Sequence, residues 1–199
     1  MSIDARSGSL VNVSVSHSSF APAIRVAAVA LAVLLTAAAA QVSWPLPFTP
    51  VPFVLTPLVV LLSGAALGSR LGAVAQIVYL LAGAVGLPVF APSAQLPPGA
   101  LRFMGPTGGY LLAYPVAAFL TGYLAERGWD RRYWSSVAAM LFGLAVIFTG
   151  GVSWLAAMVT RSLGDAITLG LRWFILLDVL KVLVAAAILP QTWRLVGRR

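Results

Sequence analysis

An acidic and a basic residue stand three positions apart within a long apolar stretch near the end of the 199-residue chain. Asp178 and Lys181 lie in the apolar run 173–189, and on a helix that spacing places both side chains on one face. An ionisable group at membrane depth costs roughly 2.5 to 3.5 kcal/mol, and such groups usually face a bundle interior or a cavity. The pair therefore marks a binding site or an ion pair that fixes helix packing. We favour the site, because apolar residues can often replace a packing-only pair without loss of stability.

The composition indicates that the chain lies in a lipid bilayer. It is 60% hydrophobic and 9% charged, with a mean hydropathy of +0.96, whereas about a quarter of the residues in a soluble domain are charged. The net charge of +8 does not indicate a nucleic-acid partner, because the basic residues form no stripe with interleaved aromatic residues. The chain has no cysteine and one histidine, His17, so we predict no metal site and no cofactor.

Six apolar segments are candidates for crossing the membrane: 20–42, 53–68, 71–87, 107–125, 133–158 and 169–189. The second and third are short for a hydrocarbon core that requires about 20 residues, so we expect them to tilt or one of them to span only in part. We therefore predict an all-α integral membrane protein. Its six-helix membrane domain covers 20–190, between a polar cytoplasmic tail at 1–19 and a basic cytoplasmic tail at 191–199.

Basic residues near the ends of these segments predict the orientation, with both termini in the cytoplasm. That arrangement places most arginines inside and leaves Arg102, Arg161 and Arg172 outside or near the outer edge. The outer half of the last helix then lies on the same side as the loops 41–52 and 87–106. We expect the candidate site to open outward, with Asp178 roughly 10 to 15 Å below the outer end of its helix.

The loop 87–106 and the helix start that follows it are the second candidate for a site. Loops with this Pro and Gly content commonly bind ligands, and Arg102 is the only charge in this one, either interfacial or part of the site. Thr107 is predicted to be the N-cap of the next helix. Gly108 and Gly109 let a ligand or another backbone approach its partially positive end. No Lys-Ser/Thr pair follows, so ATP is not expected here.

Several motifs occur together in this chain: PVP at 50–52, GAALGSRLG at 64–72, YLLAGAVGLPVF at 79–90, GPTGGY at 105–110 and DVLK at 178–181. In combination they resemble the BioY family, the biotin-binding S component of energy-coupling-factor (ECF) vitamin transporters. The resemblance covers residues 45–187. It implies a six-helix S-component fold in the cytoplasmic (inner) membrane and capture of biotin from the outer side. It also implies a membrane-embedded T component and a pair of ATPases that drive release inward.

Two segments depart from the pattern of that family. After Pro52 the family commonly reads I-T-L-Q-T, whereas residues 53–57 read FVLTP. The loop 91–103 is rich in proline, where relatives tend to be rich in glycine. These departures affect the residues through which the loops would contact a ligand, Arg102 above all. The aspartate–lysine pair and the GPTGGY motif match the family.

The chemistry of biotin suggests which residues would bind it. Its ureido ring carries two N–H donors and a carbonyl, so Asp178 can accept from an N–H and Lys181 can donate to the carbonyl. The ligand carboxylate then stays near the outer loops, beside Arg102 and the backbone N–H groups around Thr107 and Gly108. The predicted apolar walls are Tyr79, Phe90 and Tyr110. The reverse orientation, with Lys181 on the carboxylate, remains open.

The first helix carries alanines at four-residue spacing that could meet a partner. S components resemble one another in using small residues there to contact the T component, often as A-x-x-x-A, and close approach of helices in membranes favours such residues. Two pairs fit this pattern: Ala23/Ala27 and Ala28/Ala32. Either pair could instead pack within the bundle of this chain.

Three other functions compete with biotin binding. The chain could be an S component for another vitamin, or a solitary carrier coupled to ions or protons, although it shows no internal inverted repeat. It could also be an intramembrane enzyme with Asp178 as the general base. The sequence shows no Ser/His, Cys/His or paired-carboxylate arrangement, and a base bonded to an ammonium is poorly suited to abstracting protons. We therefore predict a binding subunit and not an enzyme.

Overall fold

Helices account for most of the chain in the computed structural model, which describes residues 9–11, 20–93 and 96–196. In chain order they are α1 (Ala21–Gln41), α2 (Thr56–Leu67), α3 (Ser69–Ala84), α4 (Gly108–Glu126), α5 (Tyr133–Leu155), α6 (Leu163–Ile167), α7 (Ile175–Ala186) and α8 (Ile188–Val196). Within the described residues, four helical stretches are long and apolar enough to cross a membrane: Ala21–Gln41, Gly108–Glu126, Tyr133–Thr160 and Ile175–Arg194. The shorter apolar helices α2 and α3 lie between the first two. The chain is therefore a helical multi-pass membrane protein.

Glycines determine how closely α5 packs against α4. A Cβ atom added at Gly109 would overlap the Trp154 side chain and the carbonyl oxygen of Gly150. One added at Gly150 would lie 2.8 Å from the Cβ of Ala113. Because lipid tails are as apolar as the helix surfaces, close van der Waals packing of this kind holds membrane helices together.

The sequence predicts a tight turn at residues 68–72, between the second and third apolar segments, and the turn observed is shorter, because Gly68 alone separates α2 from α3. Gly68 has a φ of 87°, a left-handed conformation that glycine adopts without strain. The Glu126 carboxylate at the end of α4 accepts a hydrogen bond from the Ser69 backbone N–H, at 2.9 Å, and so caps the start of α3. The turn is thereby fixed against the end of α4.

Among the described residues, the first helix packs on the others mainly through one face. Ala32 is 6% exposed and belongs to a small cluster with Leu67 and Ala75, against which Ala28 also packs. A buried hydrogen bond of 3.1 Å from Gln76 of α3 to Ser63 of α2 lies nearby. Many residues on the other faces of α1 are exposed, which leaves an open surface on the outside of the bundle.

A short ribbon follows α1, in the segment for which the prolines predict an extended loop. Strand β1 (Ser43–Trp44) pairs antiparallel with β2 (Phe53–Val54), with Ser43 opposite Val54. Four prolines lie in the connection between the strands and none lies in either strand, which leaves the paired strand amides available. The all-α prediction therefore holds apart from this ribbon.

The helical path is irregular from the end of the fifth predicted span, 133–158, into the start of the last one, 169–189. A π-helical turn (Ala156–Thr160) follows α5, a second one (Thr168–Arg172) follows the short α6, and α7 begins only at Ile175. Asp178 consequently lies in the first turn of α7, only about 5 Å along its axis at 1.5 Å per residue. The expected depth of 10 to 15 Å below the helix end was wrong, because α7 starts six residues later than the predicted span 169–189.

The chain also stays helical beyond Pro190, where the sequence predicts its end. Pro190 lies in the first turn of α8, and amides in a first turn have no intrahelical partner, so the missing N–H costs little there. Trp193 of α8 donates a hydrogen bond from its indole N–H to Asp130, in the turn between α4 and α5. The predicted basic tail is therefore helical as far as Val196.

Part of the predicted N-terminal tail packs into the bundle. Of residues 1–19 the structure describes 9–11, and within them Ser9 is fully buried and Leu10 is 6% exposed. Leu10 contributes to the main apolar core. The remaining part of the tail, including His17, lies outside the described residues.

Candidate ligand-binding site

A cavity of about 550 Å³ lies where α3, α4, α5 and α7 meet the ribbon and the loop 87–106. Its size is typical of sites for small molecules. Seven of the predicted site residues line it: Tyr79, Phe90, Arg102, Thr107, Tyr110, Asp178 and Lys181. Gly108 does not line the cavity. A Cβ atom there would overlap the carbonyl oxygen of Phe103, so this glycine permits close packing under the loop.

The aspartate and the lysine form a direct ion pair in the cavity wall. The Nζ atom of Lys181 lies 2.6 Å from Oδ1 of Asp178, and the two side chains are 12% and 9% exposed. Lys181 also donates to the carbonyl oxygen of Val54 at 2.8 Å, and its Nζ lies 3.8 Å from the ring centroid of Phe53. Two of its three N–H donors are thus engaged, which leaves one for a ligand.

Asp178 retains acceptor capacity in the same way. Its Oδ1 accepts from Lys181, while Oδ2 accepts no hydrogen bond from the described residues. The partial positive charge at the start of α7 and the lysine both stabilise the carboxylate. The pair therefore presents one acceptor and one donor side by side, which suits a cyclic urea or amide.

Arg102 approaches the cavity from a different element. It lies on a 3-10 turn (Ala100–Met104) and is 9% exposed, and its Nε donates to the carbonyl oxygen of Pro97 at 3.2 Å. The two terminal NH₂ groups make no hydrogen bond within the described part of the chain. Burial lowers the pKa of this guanidinium, although arginine remains charged in proteins. The free edge is shaped for bidentate binding of a carboxylate.

Thr107 occupies the N-cap position of α4, as predicted, but its side chain makes no capping hydrogen bond. The loop before it is held instead by Trp154 of α5, whose indole N–H donates to the carbonyl oxygen of Gly105 at 3.0 Å. This contact fixes the entry to α4. The Thr107 hydroxyl is therefore not committed to the helix terminus, and the residue lines the cavity.

Aromatic rings with engaged hydroxyl groups form the apolar walls. Tyr79 donates to the carbonyl oxygen of Val89 at 3.2 Å, and its ring meets Phe90 edge-on with 5.4 Å between centroids. Tyr110 donates to the carbonyl oxygen of Gly170 at 2.8 Å. Since these hydroxyls already have acceptors, the rings present mainly their apolar surfaces to the cavity.

The structure adds residues that sequence reasoning missed. Tyr114 lines the cavity one helical turn after Tyr110, and that i, i+4 spacing could have revealed it. Val54 contacts Lys181 from 127 residues away in the chain, Phe53 does so from the neighbouring position, and no local pattern indicates such contacts. Gln41, at the end of α1, donates to the carbonyl oxygens of Pro88 and Phe90 at 3.1 and 3.2 Å, which connects the first helix to the loop over the site.

A helical bundle that encloses an ion pair, aromatic walls and a separate arginine defines a membrane-embedded small-molecule-binding protein. The chain belongs to the BioY family, whose family model matches residues 12–198. The family inferred from the motifs is thereby confirmed.

Curated relatives agree with this assignment. The chain is 40% identical over 163 residues to the probable biotin transporter BioY of Pyrococcus horikoshii, which covers 82% of this chain and 92% of the relative. It is 39% identical over 143 residues to the biotin transporter BioY of Thermotoga maritima, covering 72% and 81%. The fold is similar to the crystal structure of the S-component for biotin from an ECF-type ABC transporter. That match has a TM-score of 0.79 and 23% identity, and it covers 89% of this chain and 94% of the other.

Proposed function

We propose that this protein is the substrate-binding S component for biotin in an ECF transporter of the cytoplasmic membrane. It captures biotin from the outer side, and a T component with two ATPases drives release inward. The observation that carries the proposal is a cavity in a BioY-family chain that combines a paired aspartate and lysine with an arginine offering a free guanidinium edge. An enzymatic role is not favoured, because the curated relatives are named as transporters.

Biotin binds, on this proposal, with its ureido ring at the ion pair. Oδ2 of Asp178 accepts from a ring N–H, and the remaining N–H of Lys181 donates to the ring carbonyl. The carboxylate binds at the NH₂ edge of Arg102, where two parallel charge-assisted hydrogen bonds are available. The fused rings and the aliphatic chain pack on Tyr79, Phe90 and Tyr110.

The proposal also includes the topology of the chain: it crosses the membrane six times, with both termini in the cytoplasm. The spans are α1 to α5 and the α7–α8 stretch, with α2 and α3 crossing as short helices. The start of α1, the α2–α3 turn and the end of α4 lie together at one end of the bundle, because Arg25, Arg70 and Glu126 line one cavity there. The α4–α5 turn and α8 belong to this end as well. Its many arginines support a cytoplasmic location, so the ligand cavity faces outward.

The T component docks, we infer, on the exposed face of α1. Ala23 and Ala27 are exposed, whereas Ala28 and Ala32 pack toward α2 and α3. The structure therefore distinguishes two pairs that the sequence leaves equivalent. Small side chains on an exposed helix face allow a partner helix to approach closely in the membrane.

Equilibrium binding tests the biotin assignment and the ligand orientation. Labelled biotin should bind the purified protein in detergent, and excess biotin, but no other vitamin, should displace it. Arg102→Gln should weaken binding of biotin about 10- to 100-fold, as expected for a charge-assisted hydrogen bond. The same change should alter binding of biotinamide, which has no carboxylate, far less. Arg172→Gln is the matched control, because that arginine is exposed and does not line the cavity.

Each contrary result points to a specific alternative. No binding of biotin together with binding of another vitamin would indicate an S component of different specificity. An equal loss for biotin and biotinamide in Arg102→Gln would favour the reversed ligand, with its carboxylate at Lys181. Biotin uptake into liposomes by the protein alone, without ATPases, would indicate a solitary carrier.

A further inference from the structure

A second cavity, of about 650 Å³, opens at the other end of the bundle, between the start of α1, the start of α3 and the last turns of α4. It shares no lining residue with the ligand cavity. Nothing in the binding chemistry proposed above uses it. Its position at the arginine-rich end places it at the boundary between the bilayer and water.

Two arginines line this cavity. Arg25 of α1 and Arg70 of α3 are exposed, and neither guanidinium makes a hydrogen bond or an ion pair to any described residue. The acidic residue of the wall is Glu126, and its carboxylate accepts hydrogen bonds from the backbone and hydroxyl of Ser69 at 2.9 and 3.0 Å. These hydrogen bonds hold the carboxylate at the start of α3 but leave its charge in place, so two arginines against one glutamate give the rim a net positive charge that attracts an anion.

The lower wall is apolar and aromatic. Phe119 and Tyr123 of α4 stack with 6.2 Å between ring centroids, yet remain 45% and 40% exposed. Leu71 of α3 lines the same space, and the guanidinium of Arg127 lies 3.3 Å from the centroid of the Tyr123 ring. A cationic rim above an exposed apolar wall matches the two parts of a phospholipid, a phosphate headgroup and an acyl chain. Basic pockets between helices at the membrane surface bind anionic lipids in this way.

We propose that this groove binds one anionic phospholipid, with its phosphate between Arg25 and Arg70 and an acyl chain along Phe119. At 100° per residue, Arg25 lies on roughly the opposite side of α1 from Ala23 and Ala27. A bound lipid would therefore bridge α1, α3 and α4 without covering the exposed alanine face. The assignment does not depend on which vitamin the protein binds.

Native mass spectrometry of the full chain with phosphatidylglycerol and phosphatidylcholine tests the proposal. Wild type should retain one phosphatidylglycerol in preference to phosphatidylcholine. Removal of one basic residue near an anionic membrane surface should lower retention about fivefold, so Arg25→Gln/Arg70→Gln should lower it by roughly 25-fold. The control Arg132→Gln/Arg194→Gln removes the same charge from exposed residues at the same end and should retain the lipid. Unchanged binding of biotin would show that the Arg25→Gln/Arg70→Gln variant is folded.

Three results would overturn the assignment. An equal loss in the control variant would mean diffuse attraction to the surface. Equal retention of phosphatidylcholine would mean that the arginines do not select the lipid. If sn-glycerol 3-phosphate, which has no acyl chain, displaced the lipid at equal concentration, the groove would be a site for free phosphate compounds.

Discussion

Replacing Lys181 with methionine tests two properties of the ion pair: that removing one partner destabilises the fold, and that the pair binds the ligand. The change leaves the Asp178 side chain, 9% exposed, without its cation and removes the hydrogen bond to the carbonyl oxygen of Val54. Removal of one partner from a buried pair costs about 3 to 5 kcal/mol. Because the pair borders a cavity that water can enter, we expect the lower end of this range. For a chain of this size about 3 kcal/mol corresponds to a fall of roughly 6 to 12 °C in the thermal unfolding midpoint.

The double variant Asp178→Asn/Lys181→Met separates the cost of an unpaired charge from the loss of the pair. Since it buries no charge, it should be more stable than Lys181→Met by about 2 kcal/mol, even though it carries more changes. Neither variant should bind biotin well. Each lost charge-assisted hydrogen bond accounts for about 1.5 to 3 kcal/mol, so affinity should fall at least 10-fold in the single variant and further in the double variant.

Thermal unfolding in detergent and equilibrium binding of labelled biotin are the two measurements. Asp165→Asn is the control for removing an acidic residue, because Asp165 is exposed on α6 and does not line the cavity. If Lys181→Met were as stable as wild type and the double variant gained nothing, the electrostatic reasoning would be refuted. If both variants bound biotin normally, the pair would only stabilise packing.

Three further predictions concern other parts of the bundle. Ala27→Leu should lower ATP-dependent uptake by the reconstituted transporter and leave biotin binding intact. Ala32→Leu, at a position 6% exposed, should instead lower the thermal unfolding midpoint, because overpacking costs about 1 to 3 kcal/mol. The opposite pattern would place the docking face elsewhere. In Gly151→Ala the new Cβ would overlap the Tyr110 ring of α4, so thermal stability and biotin affinity should both fall. The control Gly164→Ala, whose new Cβ would have its nearest neighbour at 3.9 Å, should change neither. Equal effects of the two variants would refute the packing argument. Burial raises the pKa of Asp130 above its ordinary 3.8, so the folded state holds this proton more tightly, and stability should fall as pH rises from about 4 through the raised pKa. Unfolding midpoints between pH 4 and 7 should show that slope in wild type and a smaller one in Asp130→Asn, and identical slopes would contradict it.

Much of the helical framework could be predicted because it depends on local chemistry. The apolar segments 20–42 and 107–125 match α1 and α4 to within a residue or two, since apolar composition and helix-terminating residues act within one element. A tight turn after the second segment was predicted for the same reason, although Gly68 alone forms it and residues 69–72 of the predicted turn are helical. The break between the spans 133–158 and 169–189 was predicted as well, but the short helix α6 within it and the π-helical turns on either side were not, because apolar composition does not specify α or π hydrogen bonding.

The sequence by itself determined that this is a membrane protein of the BioY family, and that Asp178 and Lys181 share a helix face. Composition indicated the membrane, i, i+3 spacing indicated the shared face, and the resemblance of several short motifs indicated the family; each is a property of the sequence that needs no tertiary contact. Only the tertiary structure decided that Phe53 and Val54 complete the environment of Lys181, that Gly108 supports packing, and that the two alanine pairs of α1 face different ways. Those features depend on contacts between residues far apart in the chain and on which face of a helix its neighbours cover, and no short stretch of sequence specifies either.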